Sequence, residues 1–192
     1  MPRFIGSLIA GILLSMFALL PGAVAAEKSA EAEFPERTVL DQYELKLSGT
    51  AVLTWALLFD VYAGAFYLPD GVSGADWAED VPKRLDIAYY RSFTAEELVA
   101  ASDQLLRENL TETDYLSLAG RLQPFYRWFR NVEPGDRYSL AYQPRIGTEL
   151  RLNGQLLGTV PGADFAVAYL GLWLGSDPIS ESFRDALLRG SW

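Results

Sequence analysis

The chain contains no histidine and no cysteine in its 192 residues. Without histidine, Ser-His-Asp and Cys-His catalysis, ordinary zinc sites and imidazole acid–base chemistry all drop out. Any chemistry must use Tyr, Arg, Lys, Asp, Glu, Ser or Thr, and neither a metal nor a cofactor is expected. Without cysteine there is no disulfide, so in an oxidising compartment stability comes from the core. Lipoprotein processing is excluded on the same ground. Basic residues are also scarce, with 16 Lys+Arg against 25 Asp+Glu. That balance opposes long-range attraction to nucleic acid or anionic lipid.

Met1–Ala25 reads as an export signal: Arg3 at a short positive start, an apolar run from Phe4 to Leu20, and Ala23-Val24-Ala25 as a small-residue cleavage site. An uncleaved anchor is the alternative, since the run is slightly long for a signal core. Removing the segment takes away one charge, Arg3, and leaves a net charge of −10 from 15 basic and 25 acidic residues. The expected product is periplasmic or secreted, with no further membrane span. Residues 26–33 are small and polar and read as a tether. Residues 34–190 are enough for one domain with a sizeable core.

What the sequence has in abundance is apolar chain, above all Val52–Leu68, VLTWALLFDVYAGAFYL. Its Trp, Phe, Tyr and Val favour strands, and Pro69-Asp70-Gly71 stops it. The expectation is one long, bent central strand, with Gly64 at a bulge or close approach. Alternation places Thr54, Asp60, Tyr62, Gly64, Phe66 and Leu68 on one face. Leu53, Trp55, Val61, Ala63, Ala65 and Tyr67 lie on the other, which is expected to meet a helical layer.

Around this stretch, strands are expected at Phe34–Leu40, Tyr43–Ser48, Arg84–Arg91, Arg137–Tyr142, Glu149–Leu152 and Gln155–Val160. Asn153-Gly154 closes the last two as a type I′ hairpin, and one helical turn is expected near Trp77. Thr94-Ala95-Glu96-Glu97 is a capping box opening a helix to about Leu110. A second helix spans Glu112–Asn131, kinked or divided at Pro124. Helices at Ala163–Leu174 and Ser180–Leu188 complete an α+β fold, an antiparallel sheet with helices on one side.

The ordered set FDVYAGAFYLPDG (Phe59–Gly71), LDIAYYRSFTAEEL (Leu85–Leu98), VEPGDRYSLAYQP (Val132–Pro144) and LNGQLLGTVPGADFAVAYLGLWLGSDPISESFRDALL (Leu152–Leu188) resembles the bacterial exported branch of the chalcone-isomerase-like superfamily. The resemblance implies an open-faced β-sandwich: a large antiparallel sheet, one helical layer and a cleft between them. It also implies positions for the isomerase residues. The oxyanion-binding arginine belongs between Gly49 and Trp55, where no basic residue stands. The strand threonine falls on Tyr62, the helix tyrosine near Glu97 or Leu98, the asparagine near Gln104 or Leu105, and the C-terminal threonine on Leu172. None of the expected residue types is kept, so the phenolate-stabilising term of that chemistry is missing.

The candidate ligand-binding residues are therefore Thr54, Asp60, Tyr62, Arg91, Gln104 and Leu172, with no catalytic residue assigned. Arg91 could hold a carboxylate bidentately, or pair with Glu96 or Glu97. Asp60 could be a buried base or sit at a wet sheet edge. Three functions remain open. The first is a non-catalytic protein binding an apolar small molecule or fatty acid. The second is an isomerase or lyase using Tyr62, Asp60 and Arg91 in a rearranged site, and the third an envelope interaction module with a filled core. The resemblance implies fatty-acid binding in some relatives, through an arginine at the position missing here.

Overall fold

The computed structural model describes residues 32–55 and 59–189; the expected export signal and most of the expected tether lie outside them. Seven strands follow the chain in order: β1 (Arg37–Leu40), β2 (Tyr43–Trp55), β3 (Phe59–Pro69), β4 (Lys83–Tyr89), β5 (Arg137–Gln143), β6 (Gly147–Leu152) and β7 (Gln155–Val160). Each pairs antiparallel with the next, so the spatial order is the sequence order. Four helices complete the fold: α1 (Ala95–Asn109), α2 (Glu112–Tyr126), α3 (Ala163–Leu174) and α4 (Glu181–Leu188). This is the α+β architecture the pattern implies.

The expected single central strand is a hairpin. β2 runs through to Trp55 and the chain returns as β3, with Trp55 opposite Phe59, Thr54 opposite Asp60 and Leu53 opposite Tyr62. The sequence between Trp55 and Phe59, Ala56-Leu57-Leu58, contains no Gly, Pro, Asn or Asp to mark a turn. From Tyr62 onward the facing is also inverted, whereas Leu53, Trp55 and Val61 do join the main core. Tyr62, Phe66 and Leu68 pack into the main core with the helices, while Ala65 and Tyr67 join a second cluster with Leu40, Leu45 and Ala141.

That second cluster exists because the sheet curls. A register shift between Leu47 and Gly49 bends β2, and the β1–β2 corner folds back over the outer face. Gln143 Nε2 donates to Asp41 Oδ2 at 3.0 Å, three strands away. Arg84, bidentate to Asp86 at 2.7 and 3.1 Å, also reaches Ser139. Arg137 donates to the Glu33 carbonyl and stacks on Phe34. Both faces of β3 are thus buried, and an apolar count cannot choose between them.

On the helical side, local chemistry sets the boundaries. Thr94 and Glu97 form the capping box of α1. α2 ends at Tyr126, earlier than the pattern suggests. Pro124 lacks the N–H that an α-helix needs, and the following amides tighten to i→i+3 bonds at 3.2, 3.1 and 3.3 Å. Asn153 at φ 50° and Gly154 at φ 83° make the β6–β7 turn. Gly49 and Gly64 let α4 approach the sheet. A Cβ on Gly64 would lie 2.5 Å from Phe183 Cζ, and one on Gly49 would strike the α4 carbonyls. Gly64 is thus a close-approach point.

Candidate functional site

The six residues singled out from the sequence separate into three places. Thr54, Asp60 and Arg91 meet at the exposed end of the β2–β3 hairpin. Thr54 Oγ1 donates to Asp60 Oδ1 at 2.8 Å, and Arg91 Nε donates to the Asp60 carbonyl at 3.1 Å. The Arg91 guanidinium lies 5.1 Å from the Phe59 ring centroid, and Phe59 stacks on Trp55 at 6.5 Å. Glu97, a possible partner for Arg91, is engaged in the α1 cap. Gln104 stands apart on α1, donating to Glu108 at 2.9 Å. Tyr62 and Leu172 lie in the main core.

Tyr62 is one of five tyrosines in that core. Its hydroxyl accepts a 2.9 Å hydrogen bond from Trp173 Nε1. The spacing explains who surrounds it. Tyr62 pairs across strands with Tyr89, and Tyr138 pairs with Ile87 two residues back, so three tyrosines cross β3, β4 and β5 on the helical face. Tyr169 and Trp173 are four residues apart on α3 and share one side of it. Tyr62 meets Tyr89 at 5.8 Å and Phe183 at 5.6 Å, both edge-on. Tyr89 meets Tyr138 at 6.2 Å, and Tyr169 meets Trp173 at 6.2 Å. Edge-on packing of this kind adds to simple area burial.

The layer is electrically neutral. Burial pushes the Tyr62 phenol far above its ordinary range, opposed only in part by the Trp173 bond. Burial likewise holds Tyr89 well above 10.0, with Tyr62, Tyr138 and Tyr169 adding to the effect. Tyr169 is raised by burial, with Ser102 beside it acting the other way. Tyr138 is raised by burial too, although its hydroxyl accepts from Arg130 N at 2.7 Å and donates to Arg130 O at 3.1 Å. A phenol so placed stays protonated and acts as a neutral donor. Among the described residues no carboxylate is hydrogen-bonded to Tyr62, so they place no general base on it.

Two other polar features lie outside this layer. Asp103 accepts from Tyr115 at 2.5 Å, Tyr126 at 3.0 Å and Arg107 at 2.8 Å, tying α1 to α2. A groove of about 260 Å³ runs past Lys46, Ser48, Asp70, Val72, Ser73 and Arg189. Among the described residues, no group of three or more Asp or Glu side chains is placed to hold a metal ion. Nor is any helix there long and apolar enough to cross a membrane.

Sequence reasoning selected Tyr62 but gave no role to Trp173, Tyr89 or Tyr169. The available signal was the i, i+4 pair of Tyr169 and Trp173, two donors on one helix face opposite a strand tyrosine.

Comparison with known proteins places the chain. The model of the chalcone isomerase-like family matches residues 26–189. The chain belongs to that family. Among solved structures it is similar to a fatty-acid binding protein of Arabidopsis thaliana, with a TM-score of 0.64 and 16% identity over 81% of this chain and 90% of that one. No curated protein matches the sequence.

Proposed function

We propose that this chalcone isomerase-like protein is a non-catalytic binding protein of the bacterial exported branch, holding an apolar small molecule or fatty-acyl compound between sheet and helices in the periplasm. The observation that carries the reading is the Tyr62 layer: buried neutral hydroxyls and an indole N–H set among aromatic rings, with no carboxylate among the described residues hydrogen-bonded to Tyr62. Sites for apolar ligands are built this way, mostly hydrophobic with a few placed polar groups. The similarity to a structure described as a fatty-acid binding protein supports the same class. Export is supported by the Met1–Ala25 signal pattern.

The rearranged-isomerase alternative would need Tyr62, Asp60 and Arg91 in one site. Asp60 and Arg91 are held at the exposed hairpin end while Tyr62 is core. The Tyr62 layer is closed by ring contacts, so a ligand enters by displacing side chains. Trp173 is half-buried, less enclosed than the tyrosines of the layer. Displacement of a fluorescent fatty-acyl probe tests this. Saturable binding that quenches Trp173, and weakens in Trp173→Phe, is the expected result. No saturable binding to the folded protein would leave the layer as a filled core and favour the envelope-module reading.

A further inference from the structure

The hydrogen bonds of the tyrosine layer are unbalanced. Tyr62 accepts from Trp173 and, among the described residues, donates to nothing. No hydrogen bond engages the Tyr89 hydroxyl among the described residues, although the side chain is 6% exposed. The Tyr169 hydroxyl is buried with Ser102 near it, yet makes no bond of normal geometry. Buried hydroxyls normally find partners, and an unused donor in an apolar layer is costly. Two such donors, Tyr62 on β3 and Tyr169 on α3, stand in the layer, and the Tyr89 ring of β4 packs edge-on against Tyr62.

Positive charge is what the layer lacks, and the charged side chain that does bear on it, Asp103 near Tyr169, is an anion. No arginine or lysine bears on Tyr62, Tyr89 or Tyr169. Arg130 is the cation that reaches Tyr138, and its Nη1 is already shared by the carbonyls of Arg127, Trp128 and Phe129 at 2.9, 3.0 and 2.8 Å. Arg91 lies at the hairpin end, donating to the Asp60 carbonyl. An ionised carboxylate moved into such a place loses its hydration and gains no counter-ion, which neutral donors repay poorly. A carbonyl with no net charge suffers far less and matches a lone phenol donor.

We propose that the ligand carries an uncharged acceptor, the carbonyl of an ester or ketone on an apolar body, received by the Tyr62 hydroxyl with Tyr89 and Tyr169 beside it, and that ionised carboxylates are rejected. Trp173 fixes the Tyr62 oxygen by donating to it, which turns the phenol hydrogen outward for the ligand. This rests on the binding reading above and narrows its ligand class: a fatty-acyl ester fits and a fatty-acid anion does not.

The test is competition binding of hexadecanoic acid, its methyl ester and hexadecane against one fluorescent neutral probe, at pH 8 and at lower pH. The ester is expected to bind at least about tenfold more tightly than the ionised acid, as the cost of burying an unpaired charge implies. The acid's affinity rises as its carboxyl is protonated, while the ester's stays flat. Tyr62→Phe lowers ester affinity about three- to tenfold, one neutral hydrogen bond's worth, and leaves hexadecane unchanged. Tyr89→Phe, which breaks no bond, gives a second reading if Tyr62→Phe folds poorly. An ionised acid that binds as tightly as the ester overturns the inference and leaves the binding function standing. Failure of every compound to compete, with no binding of the probe itself, overturns that function and the inference together.

Discussion

Trp173 Nε1 and the Tyr62 hydroxyl meet at 2.9 Å across 111 residues of sequence, joining the end of α3 to the centre of β3. It is a side-chain bond between the two layers of the fold, and it orients the phenol on which the functional reading depends.

Tyr62→Phe should therefore cost stability as well as ligand selectivity. It leaves the Trp173 N–H without its acceptor, and an unsatisfied donor costs about 1–3 kcal/mol. Trp173 is only half-buried, so the lower end is expected. Urea unfolding reads the change, and an unaltered midpoint would show that the bond is replaced by water.

Gly64→Ala should destabilise by overpacking. The new methyl would sit 2.5 Å from Phe183 Cζ, and overfilled cores lose about 1–3 kcal/mol. Combining it with Phe183→Leu should recover part of the loss. Strict additivity of the two changes in a double-mutant cycle would mean the ring is not the obstacle.

Asp86→Ala should be among the more damaging single changes outside the helical core. It strands Arg84, whose other partners, Ser139 and Thr38, are neutral. Breaking a buried pair from one side costs on the order of 3 kcal/mol, with Arg84's partial exposure reducing that. Replacing both residues with apolar ones of similar size should cost less than the single change, measurable by thermal unfolding.

Stability should rise and then fall across alkaline pH. Burial pushes the Lys83 ammonium down to about 8, below its unfolded value. Its charged form therefore weakens the fold below pH 8, and the penalty fades as pH climbs toward the unfolded pKa near 10.5. The buried phenols of Tyr62, Tyr89 and Tyr169 are raised. Their contribution is complete below the unfolded pKa of about 10 and is lost above it. A Tm profile should climb modestly from pH 8 and collapse above about pH 10. Lys83→Met should remove the climb and keep the collapse; a climb that survives would assign it to another group.

Elements whose signals are local could be read from the sequence. The Thr94–Glu97 box, the Asn153-Gly154 turn and the span of α3 all appear where their residues indicate. The β2–β3 reversal could not, because Ala56-Leu57-Leu58 carries no turn chemistry and the flanking strands are equally apolar. The facing of β3 was hidden for a related reason. Curling of β1 and β2 buries Ala65 and Tyr67 on the outer side, so alternation has no polar face to reveal. The site was half legible. Tyr62 stood out as a polar residue in an apolar run, whereas Trp173 and Tyr89 look like core until the long-range bond brings them together. Asp60 stood out for the same reason, yet it ends at the exposed hairpin end with Thr54.

Native mass spectrometry of the protein purified from its own cells, followed by extraction and identification of what it carries, tests the central claim most directly. The account predicts a discrete adduct at near-unit occupancy, apolar and uncharged at its polar end, and depleted in Tyr62→Phe and Trp173→Phe. A clean mass of the bare chain, in a protein that also fails to bind a fluorescent fatty-acyl probe, would contradict it.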